Sequence, residues 1–329
     1  MQVLRKAFKQ PLSDVVTEFV ACTHADAHLV KADLTGSIAH AQMLQEEGLI
    51  SPSQGEAIQG GLTTLLAKAD EGTFELKVEY EDVHMNVEDF VIKKVGKDIG
   101  GQLNLAKSRN DQVATSIRIR LRETILEVAS ALTEFRRTIL ELASRHLKTI
   151  MPGYTHLQHA QPVTLAHHLL AHHDAFARDF DRIASGYGRI NSCSMGAGAL
   201  ATTTFRIDRK LVSNLLGFES LVENSIDAVS ARDFAVESIS TLSLIMSNLS
   251  RIAEEFVLWS SSEFGLVEIA DEYASTSSIM PQKKNPVVAE LVRAKYSTVL
   301  GDLVSSLTIL KALPYSYNLD LQEIGRAHV

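Results

Sequence analysis

Aromatic residues are scarce: they make up 6% of the 329 residues, with a single tryptophan. Proline and glycine are also few, at 7 and 18. A chain so short of ring side chains and turn formers is poorly supplied for a large sheet and favours helices. Cysteine is nearly missing. Cys22 and Cys193 lie far apart and in no metal-like spacing, so neither a disulfide framework nor a thiolate metal site is expected, and both read as reduced thiols. No apolar run approaches the roughly eighteen residues that a spanning helix needs. Positive charge does not dominate either. The net charge of −8 speaks against a nucleic-acid partner, and any cations that bind an anionic substrate must be concentrated locally. Arg5, Lys6 and Lys9 precede no apolar segment of the secretory kind. A transit peptide is the competing reading of those cations, and the cytoplasm is the expected location.

Apolar residues make up 45% of the chain, and its length allows two domains and a large core. Residues 13–48 read as mostly helical, ending near Gly48. Ser51-Pro52-Ser53-Gln54 has the form of a helix start: serine as N-cap, proline first, glutamine closing a capping box. A third helical stretch covers about 80–97, and Gly96 with the Gly100-Gly101 pair should break it. From Ser108 the apolar residues Ile117, Leu121, Ile125, Val128, Leu132, Phe135, Ile139 and Leu142 recur at spacings of four and three. That spacing predicts a long helix with a narrow seam, suited to bundle packing. Further seams run from Leu169 to Tyr187, from Leu242 to Trp259, and onward from Asn285. The expectation is an all-α protein: an N-terminal helical domain over 1–107 and a long-helix bundle over 108–329. Seams of this length usually meet more than four helices, which points to association between subunits.

Three connecting stretches carry most of the chemistry. Ser277-Ser278-Ile279-Met280-Pro281-Gln282-Lys283-Lys284-Asn285-Pro286 packs hydroxyls, cations and an amide between two proline breaks, just before a helix. A polar loop at a helix N-terminus is suited to an anion, and an exposed linker is the plainer reading. In Met151 to Pro162, His156 is the side chain best matched to proton transfer near neutral pH, with Thr155 and Gln158 beside it. Ser108-Arg109-Asn110-Asp111-Gln112 opens the first long helix, where Ser108 can cap and Asp111 suits the dipole. Glu81-Asp82-Val83-His84-Met85-Asn86 is a fourth polar stretch, taken alone a solvated helix face.

Together with Gly196-Ala197-Gly198-Ala199-Leu200 and Ser230-Ala231-Arg232-Asp233-Phe234, these motifs resemble, in order, those of the argininosuccinate lyase and delta-crystallin branch of the fumarase/aspartase superfamily. The resemblance runs from about Phe19 to Glu323. It implies a long-helix bundle that eliminates fumarate from argininosuccinate to leave arginine, without cofactor or metal. It also implies a homotetramer whose site is shared between subunits. Such an elimination removes a proton beside a carboxylate, so donors must stabilise a dianion; Lys283 and Asn285 are suited to this. The resemblance implies Ser277 as base on a mobile loop, His156 on the leaving-group side and Glu290 as its carboxylate partner, and family descriptions also give the first two roles reversed. By the same likeness Asn110 and Thr155 contact substrate, Ser108 and Gln158 flank them, and Arg109 binds an anion. Asp82 and His84 are polar neighbours, and Tyr317 and Gln322 meet the arginine-like arm. His168 and His172 sit four apart on one helix face, as metal ligands can, but no third ligand is apparent and no metal is expected.

Several positions depart from the family pattern. Thr276 stands where glycine is usual, so loop closure is expected to suffer. Leu105-Ala106-Lys107 replaces Thr-Gly-Arg. Val20 and Cys22 replace an asparagine and a substrate-contacting serine, and Leu319 replaces a lysine. After Glu323 the sequence reads Ile324-Gly325-Arg326 and stops at Val329, so the fifth bundle helix and the C-terminal domain are expected to be absent. A lyase acting on a different N-substituted aspartate and an inactive crystallin-like remnant are the alternatives to argininosuccinate cleavage.

Overall fold

The computed structural model describes Gln10 and residues 12–326. The basic residues Arg5, Lys6 and Lys9 and the terminal Val329 lie outside them. The helices are α1 (Asp14–Val20), α2 (Thr23–Asp26), α3 (Val30–Glu46), α4 (Pro52–Asp70), α5 (Val83–Val95), α6 (Lys97–Gly100) and α7 (Arg109–Arg145). They continue with α8 (Leu165–Ile190), α9 (Arg209–Leu215), α10 (Ser225–Ser230), α11 (Asp233–Trp259), α12 (Val287–Leu310) and α13 (Leu321–Arg326). The strands are three two-stranded pieces: β1 (Ile150–Thr155) with β2 (Gln158–Thr164), β3 (Ser192–Cys193) with β4 (Ser220–Leu221), and β5 (Ser275–Thr276) with β6 (Lys284–Asn285). The all-α long-helix architecture therefore holds. No helix of the described residues is long and apolar enough to cross a membrane.

The chain forms two compact units that interleave along the sequence. The first gathers Met1–Thr124, Gly188–Asp233 and Thr308–Val329; the second gathers Ile125–Tyr187 and Phe234–Leu307.

In the first unit, the helix starts follow the sequence signals. Ser51 Oγ accepts the Gln54 N–H while the Gln54 side chain accepts the Ser51 N–H, completing the capping box. Asp82 caps α5, and Gly96 at φ 89 ends it. The core lies where α3, α4 and α5 bury Leu34, Leu44, Ile58, Leu62, Leu65, Val87 and Val91. Each such side chain contributes about 1.5–3 kcal/mol by leaving water. The α-helical run ends at the Gly100-Gly101 pair, as expected. Gly100 ends α6, and Gly101 opens a 3-10 turn over Gly101–Asn104. Glycine is needed there for contact rather than flexibility: a Cβ on Gly100 would lie 2.7 Å from Ile92 Cα.

In the second unit, the seams pack as their periods require. Ile125, Leu132 and Ile139 of α7, Phe176 and Ile183 of α8, and Ile245 and Ile252 of α11 are buried. Phe135 meets Phe176 edge-on with centroids 5.1 Å apart. Helix α12 differs: Ser306 is its buried residue, while Val288, Leu291, Leu300, Val304 and Leu307 are exposed.

The stretch expected to be a polar loop after α7 is instead a β-hairpin. Its ladder pairs Met151 with Val163 and Thr155 with Gln158, with an irregularity between Pro152 and Tyr154. Gly153 sits at that bulge, where a Cβ would lie 2.6 Å from the Gln161 carbonyl oxygen. The two turn residues are His156 and Leu157, both left-handed at φ 55 and 56. This is the primed turn that tight hairpins prefer, built here without glycine or asparagine.

Candidate active site

The first unit holds a polar pocket of about 140 Å³ between α2, the start of α5, the start of α7 and the segment leading into α13. Asp82 serves two ends of it. Its Oδ1 accepts the Met85 N–H at 2.8 Å, and its Oδ2 accepts Arg109 Nη1 at 2.6 Å. The helix cap therefore also fixes the arginine at the pocket wall. Behind it His84 Nδ1 lies 2.7 Å from Asp33 Oδ1, which also accepts Gln112 Nε2 at 2.7 Å. Burial works against both charges. Their mutual attraction prevails, holding the Asp33 carboxyl below and the His84 imidazole above its ordinary range.

Cys22, Asp26, Asn110, Arg232, Tyr317, Leu319 and Gln322 complete the wall. Asp26 Oδ2 accepts the Val83 N–H at 3.0 Å and the Cys22 thiol at 3.1 Å, and burial still pushes its carboxyl up. Arg232 is 1% exposed. Its Nη1 donates to the Val229 and Ala231 carbonyls, and its Nε has no partner among the described residues. Burial pushes its guanidinium down to about 10. Burial raises the Tyr317 hydroxyl, while the Arg232 charge pulls it back. Glu81, at φ 68, is in a backbone region rare for a side-chain-bearing residue, and its carbonyl accepts the Cys22 N–H at 2.9 Å.

Ser108 precedes α7 as expected, with its Oγ accepting the Asn110 N–H at 3.3 Å. Asp111 does more than complement the helix dipole. Its carboxylate accepts N–H groups from Ser108, Gly196 and Gly198 at 2.9, 3.0 and 2.8 Å, tying the glycine-alanine stretch to the helix start. Burial pushes it up to about 6 against those donors. Asn110 Nδ2 reaches the Ala199 carbonyl of the same stretch at 3.1 Å.

The remaining expected site residues lie in the second unit. Thr155, His156 and Gln158 crowd the exposed hairpin tip. Two left-handed residues there cost about 1–2 kcal/mol each, a strain of the kind that clusters at functional sites. The Ser277 loop is clasped at its base by β5 and β6. Ser277 N–H donates to the Lys283 carbonyl at 3.2 Å, and Ser277 Oγ accepts the Met280 N–H at 3.2 Å. That donor favours negative charge on the hydroxyl oxygen. Thr276 does not take a left-handed backbone, so this conformation does not require a glycine there. Its Oγ1 donates to the Pro281 carbonyl at 2.8 Å and tightens the loop. Lys284 pairs with Glu268 at 3.1 Å and Asp271 at 2.6 Å, whereas Lys283 is exposed and makes no ion pair among the described residues. Asn285 ends β6, and Glu290 lies in the first turn of α12. A larger cavity of about 450 Å³ in this unit is lined by apolar side chains such as Phe135, Leu169 and Val292, and it does not suit a charged succinyl group.

A family model described as lyase matches residues 6–301. The argininosuccinate lyase of Methanosarcina mazei is 49% identical over 98% of this chain and 65% of its own length. That of Syntrophotalea carbinolica is 49% identical over 96% of this chain and 68% of its own. This chain belongs to the argininosuccinate lyase family. It spans about two thirds of the length of these relatives. Among solved structures, an EDDS lyase variant with bound fumarate superposes with a TM-score of 0.83 at 32% identity, covering 97% of this chain and 66% of that one.

Sequence reasoning missed Arg232 and Asp26 as pocket residues. Arg232 stood in a quoted motif, but nothing in the pattern shows that an arginine is fully buried. It named Cys22 and Leu319 as departures where the amine arm is read, and both line the pocket.

Proposed function

We propose that this chain is a carbon–nitrogen lyase of the argininosuccinate type, releasing fumarate and arginine in arginine biosynthesis in the cytoplasm. The carrying observation is its 49% identity to argininosuccinate lyases over nearly its whole length. The relative with bound fumarate supports the same product. The first-unit pocket supports binding of the amino-acid arm: Arg109, Arg232, Asp26 and Asp82 put charges of both signs in its wall.

In the reaction, the carbon beside one succinyl carboxylate loses a proton, and the electron pair forms the new C=C bond. The C–N bond breaks, and the leaving nitrogen takes a proton. Ser277 and His156 divide the base and acid roles, with Glu290 orienting the imidazole. The Met280 N–H stabilises a Ser277 alkoxide, and Lys283 with Asn285 supports the dianion. Thr155 and Asn110 hold the substrate, flanked by Ser108 and Gln158. Tyr317, Gln322 and His84 shape the arm pocket. The site is shared between subunits of a homotetramer, and the uncovered apolar residues of α12 support such association.

The test mixes purified chain with argininosuccinate and follows fumarate absorbance, with light scattering on the same sample. Fumarate from a tetramer supports the reading; an intact tetramer without turnover overturns it. Cys22 and Leu319 in the pocket favour a second reading, the same elimination from another N-substituted aspartate. Fumarate addition to a panel of amines separates the two.

A further inference from the structure

One cluster of ligating side chains has no part in this chemistry. His168 and His172 project from one face of α8, and Glu255 reaches them from α11. Both imidazole Nε2 atoms lie 2.7 Å from the same carboxylate oxygen, Glu255 Oε2. The three ligand atoms fall within 4.8 Å of one another. The geometry points to a binding site for a divalent transition ion of the zinc class, held by His168, His172 and Glu255.

Two imidazoles and one carboxylate are a donor set that zinc takes with a fourth position left to water. Two histidines four apart on a helix present their rings to one point. Zinc–nitrogen and zinc–oxygen bonds are about 2.0–2.2 Å, so each nitrogen–oxygen separation widens by about half an ångström as the ion enters. Side-chain rotation supplies that much. Each neutral ring then keeps its proton on Nδ1 and offers the Nε2 lone pair. Access is present without full exposure: the side chains of His168 and Glu255 are 30% exposed and that of His172 is 10% exposed. Trp259 stands edge-on to the His168 ring with centroids 5.0 Å apart and limits its swing. Bound metal would clamp α8 to α11 in the second unit.

The test uses the untagged full chain, stripped with a chelator and titrated with Zn²⁺ by calorimetry and with Co²⁺ by visible absorption. One ion per chain with a tetrahedral-type cobalt spectrum is expected. H172Q and E255Q each lower affinity at least about tenfold, H168Q/H172Q abolishes the site, and H167Q, on a neighbouring exposed residue, changes nothing. Circular dichroism checks each variant. If H172Q does not fold, E255Q, which keeps shape and neutral hydrogen bonding, gives the deciding comparison. Absence of stoichiometric binding, or binding unchanged in folded E255Q or in H168Q/H172Q, overturns the site. These readouts do not depend on lyase activity.

Discussion

Replacing Gly153 with alanine tests the link between hairpin geometry and catalysis. The added Cβ would lie 2.6 Å from the Gln161 carbonyl oxygen and 3.4 Å from Val163 Cγ1. Real Cβ contacts stay above 3.0 Å, so the paired strands must part by at least about 0.4 Å. The obstacle is backbone, which cannot swing aside as a side chain does. Such overpacking costs about 1–3 kcal/mol, paid locally because the hairpin tip is exposed. The amide protection of the β1–β2 ladder should fall roughly 5–150-fold in hydrogen exchange. His156 moves with the strands; a displacement near 1 Å can lower turnover about 100-fold, so one of about 0.4 Å should lower it roughly several-fold. Gly188→Ala is the matched control: it lies in α8 with nothing within 4 Å of the new Cβ, and it should be neutral or stabilise by about 0.5–1 kcal/mol. G153A with full ladder protection and an unchanged fumarate rate would refute the role given to the bulge.

Three further outcomes follow from the same structure. Ala106 is left-handed at φ 62, so Ala106→Gly should stabilise by about 0.5–1 kcal/mol and raise Tm by a few degrees in calorimetry. Asp33, held below its ordinary 3.8, contributes stability above that pH that is lost on acidification; His84, held above 6.5, contributes stability below 6.5 that is lost as pH rises through its raised value. Tm should therefore be highest between about pH 4 and 6.5 as far as this pair is concerned, and Asp33→Asn should flatten both flanks while costing about 3–5 kcal/mol. Val304→Asp, on the exposed face of α12, should reduce the assembled fraction in light scattering while leaving helix content unchanged.

Much of the helical frame was legible because its signals are local. The Ser51 capping box, the Asn285-Pro286 boundary and the α7, α8 and α11 seams need only neighbours in sequence. The hairpin escaped notice because its turn is built from His156 and Leu157, and left-handed residues of that kind carry no turn signature. The strain that makes them informative is visible only in the backbone. Glu255 could not be assigned to His168 and His172 because it lies 87 and 83 residues away. The buried setting of Arg232 likewise depends on contacts between distant segments. Site residues given by family likeness fall into both units of this chain, and their roles rest on the assays above.

The interleaving of the two units has a consequence for synthesis on the ribosome. Helices α3, α4 and α5 are consecutive and can condense as soon as they emerge. Neither unit can close then, because one awaits the residues up to Leu307 and the other those from Thr308 onward. Until those residues emerge, a nascent chain holds the greasy flanks of α7 and α8 open to chaperones.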